Sequence, residues 1–146
     1  MNDPFDLQRF VDAQAPVYRR VVAELRHGQK QSHWMWFIFP QIEGLGSSPM
    51  AQRFAIASRA EAVAYLDHPL LGPRLHECTR LVIAVEGRAI DAILGYPDDL
   101  KFRSSMTLFA SVAEDPTDFV AALDKFYGGE MDRATLARLQ LLSGKR

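Results

Sequence analysis

Six consecutive large apolar residues, Trp34-Met-Trp-Phe-Ile-Phe39, constrain this chain more than any other feature. Side chains on a helix repeat about every 3.6 residues, so six in a row cannot share one face. They wrap around the axis, and the segment must be buried on all sides or line a cavity. Each aromatic in such a run buries about 150–250 Å², and both tryptophans of the chain lie here. A chain of 146 residues can supply the interior this needs, because it buries roughly two-thirds of its unfolded surface without a disulfide or metal. Periodicity alone does not separate a short buried strand from a buried helical turn. A lone strand would have no partner elsewhere in the chain, so a buried turn of helix is expected.

The rest of the chain has helical spacing. Leu7, Phe10, Val11 and Gln14 mark a first short helix. Pro16 suits the first turn of a second, where its missing N–H costs nothing; Val17, Val21, Val22 and Leu25 continue it and Gly28 ends it. Ser58 and Glu61 form a capping-box pattern ahead of Ala62, Val63 and Leu66, and that helix stops before Pro69. Leu71, Leu75, Cys78, Val82 and Val85 make a longer stripe ending at Gly87. It absorbs Leu81–Val85, the other run that reads as a possible strand. Phe102, Met106, Phe109 and Ala113 follow, then Phe119, Val120, Leu123, Phe126 and Tyr127 closed by Gly128 and Gly129, then Leu136, Leu139 and Leu142. No linker, repeat or low-complexity tract interrupts them. The expectation is an all-α fold: a compact single domain over residues 1–146, a multihelical bundle of about seven or eight short helices.

Charge narrows the function. Seventeen Lys and Arg against 18 Asp and Glu give a net charge of −1, which argues against a dedicated nucleic-acid surface. No apolar run approaches the roughly 18 residues of a membrane span. The start, Met-Asn-Asp-Pro, has neither a positive nor an apolar region, so no signal peptide is expected. The single cysteine, Cys78, fits a reducing compartment, and a cytoplasmic location is expected.

Three stretches are candidates for chemistry. The first is Lys30–Gln41, where Ser32, His33 and Gln41 would stand at the mouth of a pocket walled by Trp34 and Trp36. His33 is the histidine beside the tryptophans and is suited to act as acid, base or hydrogen-bond donor. Equally, the run can be core and His33 simply hydrogen-bonded. The second is Gly44-Leu-Gly-Ser-Ser-Pro49, in which Gly44 and Gly46 permit sharp turns and Ser48 caps a helix starting at Pro49. Its spacing is not that of a P-loop, so a plain capped loop competes with an anion site. The third is Tyr96–Phe109. Pro97, Asp98 and Asp99 suit a helix N-terminus. At roughly 100° per residue, Asp98 and Ser105 share a side with Phe102 and Phe109 and Lys101 lies on its shoulder. Asp99 and Arg103, four apart, flank the other shoulder as an i, i+4 pair. Together with Ser104 and Ser105 these groups read either as an exposed cap and ion pair or as a polar rim suited to a sugar-phosphate.

Other classes are set aside. His27, His33, His68 and His76 lack metal-ligand spacing with Cys78 or a His-Glu-x-x-His pattern, so no metal is expected. Cys78 sits in an apolar stripe and reads as a packing residue. There is no nucleophile elbow or dinucleotide fingerprint, and no cofactor is expected. Arg19, Arg20, Arg26 and Lys30 read as a solvated face.

Lys30-x-Ser-His-Trp-Met-Trp-Phe-Ile-Phe-Pro-Gln41, Gly44-Leu-Gly-x-Ser48-Pro49 and Pro97-Asp-Asp-x-Lys101-x-Arg103-Ser-Ser-Met-Thr-Leu-Phe109, with Arg9-Phe-Val-x-Ala-Gln14, resemble the bacterial family catalogued as domain of unknown function 1810. The resemblance covers nearly the whole chain and implies a mainly helical single domain with no assigned activity. Members sometimes carry the label calpastatin, but a chain this rich in large apolar residues is unlike a disordered protease inhibitor. Ser32-His33-Trp34 and Asp98-x-x-Lys101-x-x-x-x-Met106 are also loosely similar to motifs of the NADAR family of N-glycosidases acting on ADP-ribosyl or phosphoribosyl compounds. Here the second motif is longer by one residue, and Ser32 replaces the glutamate before the histidine. That similarity implies His33, Asp98 and Asp99 as catalytic residues, with an aspartate stabilising an oxocarbenium-like centre.

Two readings of function follow. In one, Lys30, Ser32, Trp34, Trp36, Gln41, Gly44, Gly46, Ser48, Lys101, Arg103, Ser104 and Ser105 bind a nucleotide or sugar-phosphate ligand, with or without N-glycosidase-like hydrolysis; it expects the three stretches to meet in space. In the other the chain is a non-enzymatic interaction or structural module. That reading expects no sizeable cavity at the tryptophans and an exposed apolar patch for a protein partner.

Overall fold

A computed structural model describes residues 2–143; Met1 and residues 144–146 of the expected domain lie outside the described residues. Among the described residues ten helices follow one another: α1 (Gln8–Gln14), α2 (Tyr18–Arg26), α3 (Met35–Ile38), α4 (Pro49–Arg53), α5 (Arg59–Asp67), α6 (Leu71–Ala84), α7 (Ile90–Leu94), α8 (Asp98–Val112), α9 (Thr117–Tyr127) and α10 (Arg133–Ser143). Among the described residues there is no strand, and Ile42 and Ile56 form an isolated parallel bridge. The fold is all-α, with more helices than the seven or eight expected. Three helices about one turn long add to the seven apolar stripes: α3 and α4 coincide with the expected buried turn at Trp34–Phe39 and the expected Ser48-capped helix, and α7 is the unexpected one. Nothing in the apolar spacing signals α7 at all.

Local chemistry explains most boundaries. The Trp34–Phe39 run does form a buried helical turn, and Leu81–Ala84 continue α6. Pro16 precedes the second helix, which opens at Tyr18. The Ser58 side chain accepts from the Glu61 N–H, and the Glu61 carboxylate reaches back to the Ala57 N–H at 2.9 Å. Ser58→Ala is therefore expected to lower stability by about 1 kcal/mol, read as a shift in the urea midpoint. At the far end of α6, the Lys125 ammonium donates to the carbonyls of Ile83 and Val85 and satisfies two groups of that helix end.

The core is one continuous cluster. Phe10 meets Tyr65 edge-on at 5.1 Å, and Phe39 meets Phe102 edge-on at 4.8 Å. Helix α8 lies at its centre, packed against α5, α7, α9 and α10. Ser104 through Phe109 are all buried, so α8 meets solvent only near its two ends.

Candidate functional site

The first stretch is anchored by a residue that sequence reading passed over. Glu24 lies on the α2 face that carries Val21 and Leu25 and is 8% exposed. Its Oε1 accepts from the Gln31 N–H (2.8 Å), the Ser32 N–H (3.1 Å) and the Trp34 Nε1–H (2.9 Å); its Oε2 accepts from the Ser32 hydroxyl (2.6 Å). Burial pushes the carboxyl up, but the Ser32 hydroxyl and the other donors outweigh it and hold the group below the ordinary glutamate range. This clasp fixes the loop from residue 30 to residue 34. A carboxylate on an otherwise apolar helix stripe is the signal that would have found it.

The clasp in turn places Lys30. Its backbone N–H donates to the Ile93 carbonyl at 2.7 Å. Its ammonium lies 2.9 Å from Asp98 Oδ2 and 5.1 Å from the centre of the Trp34 ring. That side chain is 8% exposed, so the expected solvated face holds for Arg19, Arg20 and Arg26 but not for Lys30. A second cation, Lys101, stands 3.7 Å from Asp98 Oδ1 and 5.5 Å from the centre of the Trp36 ring. Asp98 thus lies between two lysines, each also over a tryptophan.

Lys101 faces a pocket of about 450 Å³. One wall is the Gln41 and Leu45–Ser48 loop with Ala51. Another is the start of α8, with Pro97, Leu100, Lys101 and Ser104. Asp132 and Ala134 close the far side. The loop is shaped by two glycines. Gly44 has a φ of +98°, and a Cβ there would meet the Arg138 guanidinium at 2.5 Å; a Cβ on Gly46 would meet Ala51 at 2.7 Å. The Arg138 Nε–H donates to the Glu43 carbonyl at 3.0 Å and ties α10 to this loop. Ser48 caps α4 by accepting from the Ala51 N–H. Asp132 caps α10: its Oδ2 accepts from the Thr135 N–H and hydroxyl and lies 3.1 Å from the Ser104 hydroxyl.

The three stretches therefore meet, though not through every residue singled out. Gln41, Gly46, Ser48, Lys101 and Ser104 line the pocket. Lys30 and Asp98 stand behind Lys101. Trp34 is 1% exposed and belongs to the core, and Trp36 is half-buried beneath Lys101, so neither forms the aromatic wall. The Ser32 hydroxyl is held by Glu24. His33 is exposed and is not part of the wall. Arg103 does not pair with Asp99; it turns to the Glu130 carboxylate and carbonyl and to the Met131 carbonyl. Asp99 keeps one buried oxygen, Oδ1, without a hydrogen bond, as does the Ser105 hydroxyl. Asp132 was missed; the Asp132-x-x-Thr135 spacing signals a helix cap, but its approach to Ser104 is a long-range contact with no local signature.

Elsewhere, burial pushes the Cys78 thiol up to about 12, leaving it protonated and unreactive at neutral pH. Among the described residues no group of three His, Cys, Asp or Glu side chains is placed to hold a metal ion, and no helix is long and apolar enough to cross a membrane.

Residues 4–139 match the model of a family described as protein of unknown function (DUF1810). Among curated proteins none matches the chain. A crystal structure of the conserved hypothetical protein Rv1873 from Mycobacterium tuberculosis is similar, with 65% sequence identity, a TM-score of 0.93, and coverage of 94% of this chain and 99% of that one. With the family model spanning most of the sequence and this structure matching it in fold, the chain belongs to the DUF1810 family.

Proposed function

We propose that the pocket between the Gln41–Ser48 loop, the start of α8 and Asp132 binds a small nucleotide or sugar-phosphate ligand through Lys101. The observation that carries this is the convergence of residues about 60 positions apart in sequence on one concave, polar-lined space containing an incompletely paired lysine. Lys101 is 29% exposed, and Asp98 is shared with the closer Lys30.

Binding is better supported than bond cleavage. A carboxylate that stabilises a glycosyl cation has to face the sugar. Asp98 has one oxygen toward each lysine, Asp99 is outside the wall, and Asp132 Oδ2 is committed to capping α10. His33 likewise lies outside the wall.

The test is thermal denaturation with ribose 5-phosphate, AMP and ADP-ribose, backed by calorimetric titration. A ligand at a hundredfold excess over its Kd raises the melting temperature on the order of 5–10 °C. Lys101→Met is expected to abolish that shift. Arg103→Ala is expected to keep it, while lowering the starting temperature by losing the Glu130 and Met131 contacts. Failure of all three ligands in both measurements would sink the reading.

A further inference from the structure

The pocket has two chemically different ends, and their spacing selects among its possible ligands. Resting on the reading of this pocket as a ligand site, we infer that its ligand is a sugar monophosphate or a similarly compact hydroxylated monoester. Such a molecule carries one anionic group for Lys101 and hydroxyls for Ser104 and Asp132. A polyphosphate or a nucleobase is not what the site is built for.

The cationic end follows from charge. Lys30 and Lys101 share the single carboxylate of Asp98, so the cluster carries one positive charge in excess. Lys30 is the closer and more buried partner, and only Lys101 reaches the pocket wall. The excess charge is therefore presented at Lys101, and an anionic group placed there completes the pairing. Lysine suits phosphate as a mobile point charge.

The opposite end is an acceptor. Ser104 stands about one helical turn, or roughly 5 Å, beyond Lys101 along α8. Its hydroxyl is 3.1 Å from Asp132 Oδ2, and both residues line the same pocket. The cap and Ser104 use Oδ2, which leaves Oδ1 of this carboxylate to accept hydrogen bonds from sugar hydroxyls. It also repels a second phosphate, so a diphosphate that satisfied Lys101 would bring its other charge toward Asp132.

A base lacks a platform. No aromatic side chain lines the pocket. Trp34 is buried, and Lys101 stands over the ring of Trp36. Stacking on an aromatic face contributes much of the affinity for bases in sites that read them, and this pocket offers none. The sugar and its phosphate then supply the recognition.

The experiment is isothermal titration of the full chain with ribose 5-phosphate, ribose, inorganic phosphate, AMP and ADP, repeated with Ser104→Ala and Lys101→Met. Ribose 5-phosphate is expected to bind about tenfold or more tighter than ribose or inorganic phosphate. AMP should gain nothing over it, and ADP should bind more weakly. Ser104→Ala should weaken ribose 5-phosphate several-fold yet leave inorganic phosphate unchanged, a split that general loss of structure does not produce. Lys101→Met should weaken both. Tighter binding of AMP or ADP than of ribose 5-phosphate overturns this inference and leaves the pocket standing as a nucleotide site. No binding by any compound overturns both.

Discussion

Glu24→Ala is expected to destabilise the protein by about 3–5 kcal/mol, because one truncation strands a buried indole N–H and three part-buried donors at once. The N–H groups of Gln31 and Ser32, the Ser32 hydroxyl and the Trp34 indole all point at that carboxylate. Unfolding in urea, followed by tryptophan fluorescence, measures the loss. Glu24→Gln is the finer probe: its amide oxygen can still accept where Oε1 does, while its NH₂ replaces an acceptor with a donor. The acid limb should separate the two variants from wild type. The folded carboxyl lies below its ordinary range, so its contribution is fully present above the unfolded glutamate pKa of about 4.3 and is lost as pH falls through the folded value. Neither variant can show that loss. A Glu24→Ala protein within about 1 kcal/mol of wild type would mean that water or another group satisfies those donors.

Gly72→Ala should also be costly, against the sign that helix propensity gives. An alanine within a helix is worth up to about 1 kcal/mol over glycine, and Gly72 lies in the first turn of α6. Yet a Cβ there would fall 2.1 Å from the Leu66 carbonyl oxygen and 3.0 Å from its carbon. Those atoms are the backbone of α5, which cannot rotate aside like a side chain. The corner between α5 and α6 has to open, at a net cost of about 3 kcal/mol, near the top of the overpacking range. For a domain of this size that lowers the melting temperature on the order of 10 °C. A melting temperature at or above that of wild type would show that the two helices do not approach as closely as described.

How far the sequence announces this molecule depends on the range of each interaction. Caps and stripes are local, so Ser48, Ser58 and the long apolar stripe of α6 were readable from neighbouring residues. The buried turn at Trp34–Phe39 followed from the impossibility of placing six large side chains on one face. Helix α7 was not readable, because five residues between loops carry no period. In the site, the meeting of Gln41, Ser48 and Lys101 followed from their chemistry being concentrated in three short stretches. The partners of Arg103 did not. Local spacing favoured Asp99, four residues away, and the guanidinium instead found Glu130 and two carbonyls across the fold. Surface i, i+4 pairs are worth only a few tenths of a kcal/mol, so a tertiary arrangement with three acceptors readily wins. The same lack of a local signature hid Asp132.

The bond from Arg138 to the Glu43 carbonyl joins residues 95 positions apart, and it has a bearing on how the protein is born. The chain is made from its N-terminus, so its C-terminal helix is the last to become available for packing. The pairs α5–α6 and α8–α9 are neighbours in sequence and pack on one another, so each pair can form as it emerges. The Gln41–Ser48 loop cannot be fastened by α10 until Arg138 has been made, and Asp132 arrives only shortly before. A nascent chain passes through a stage that presents Lys101 without the carboxylate that stands opposite it. The proposed pocket is thus closed last, by the same helix whose Leu139 completes the core.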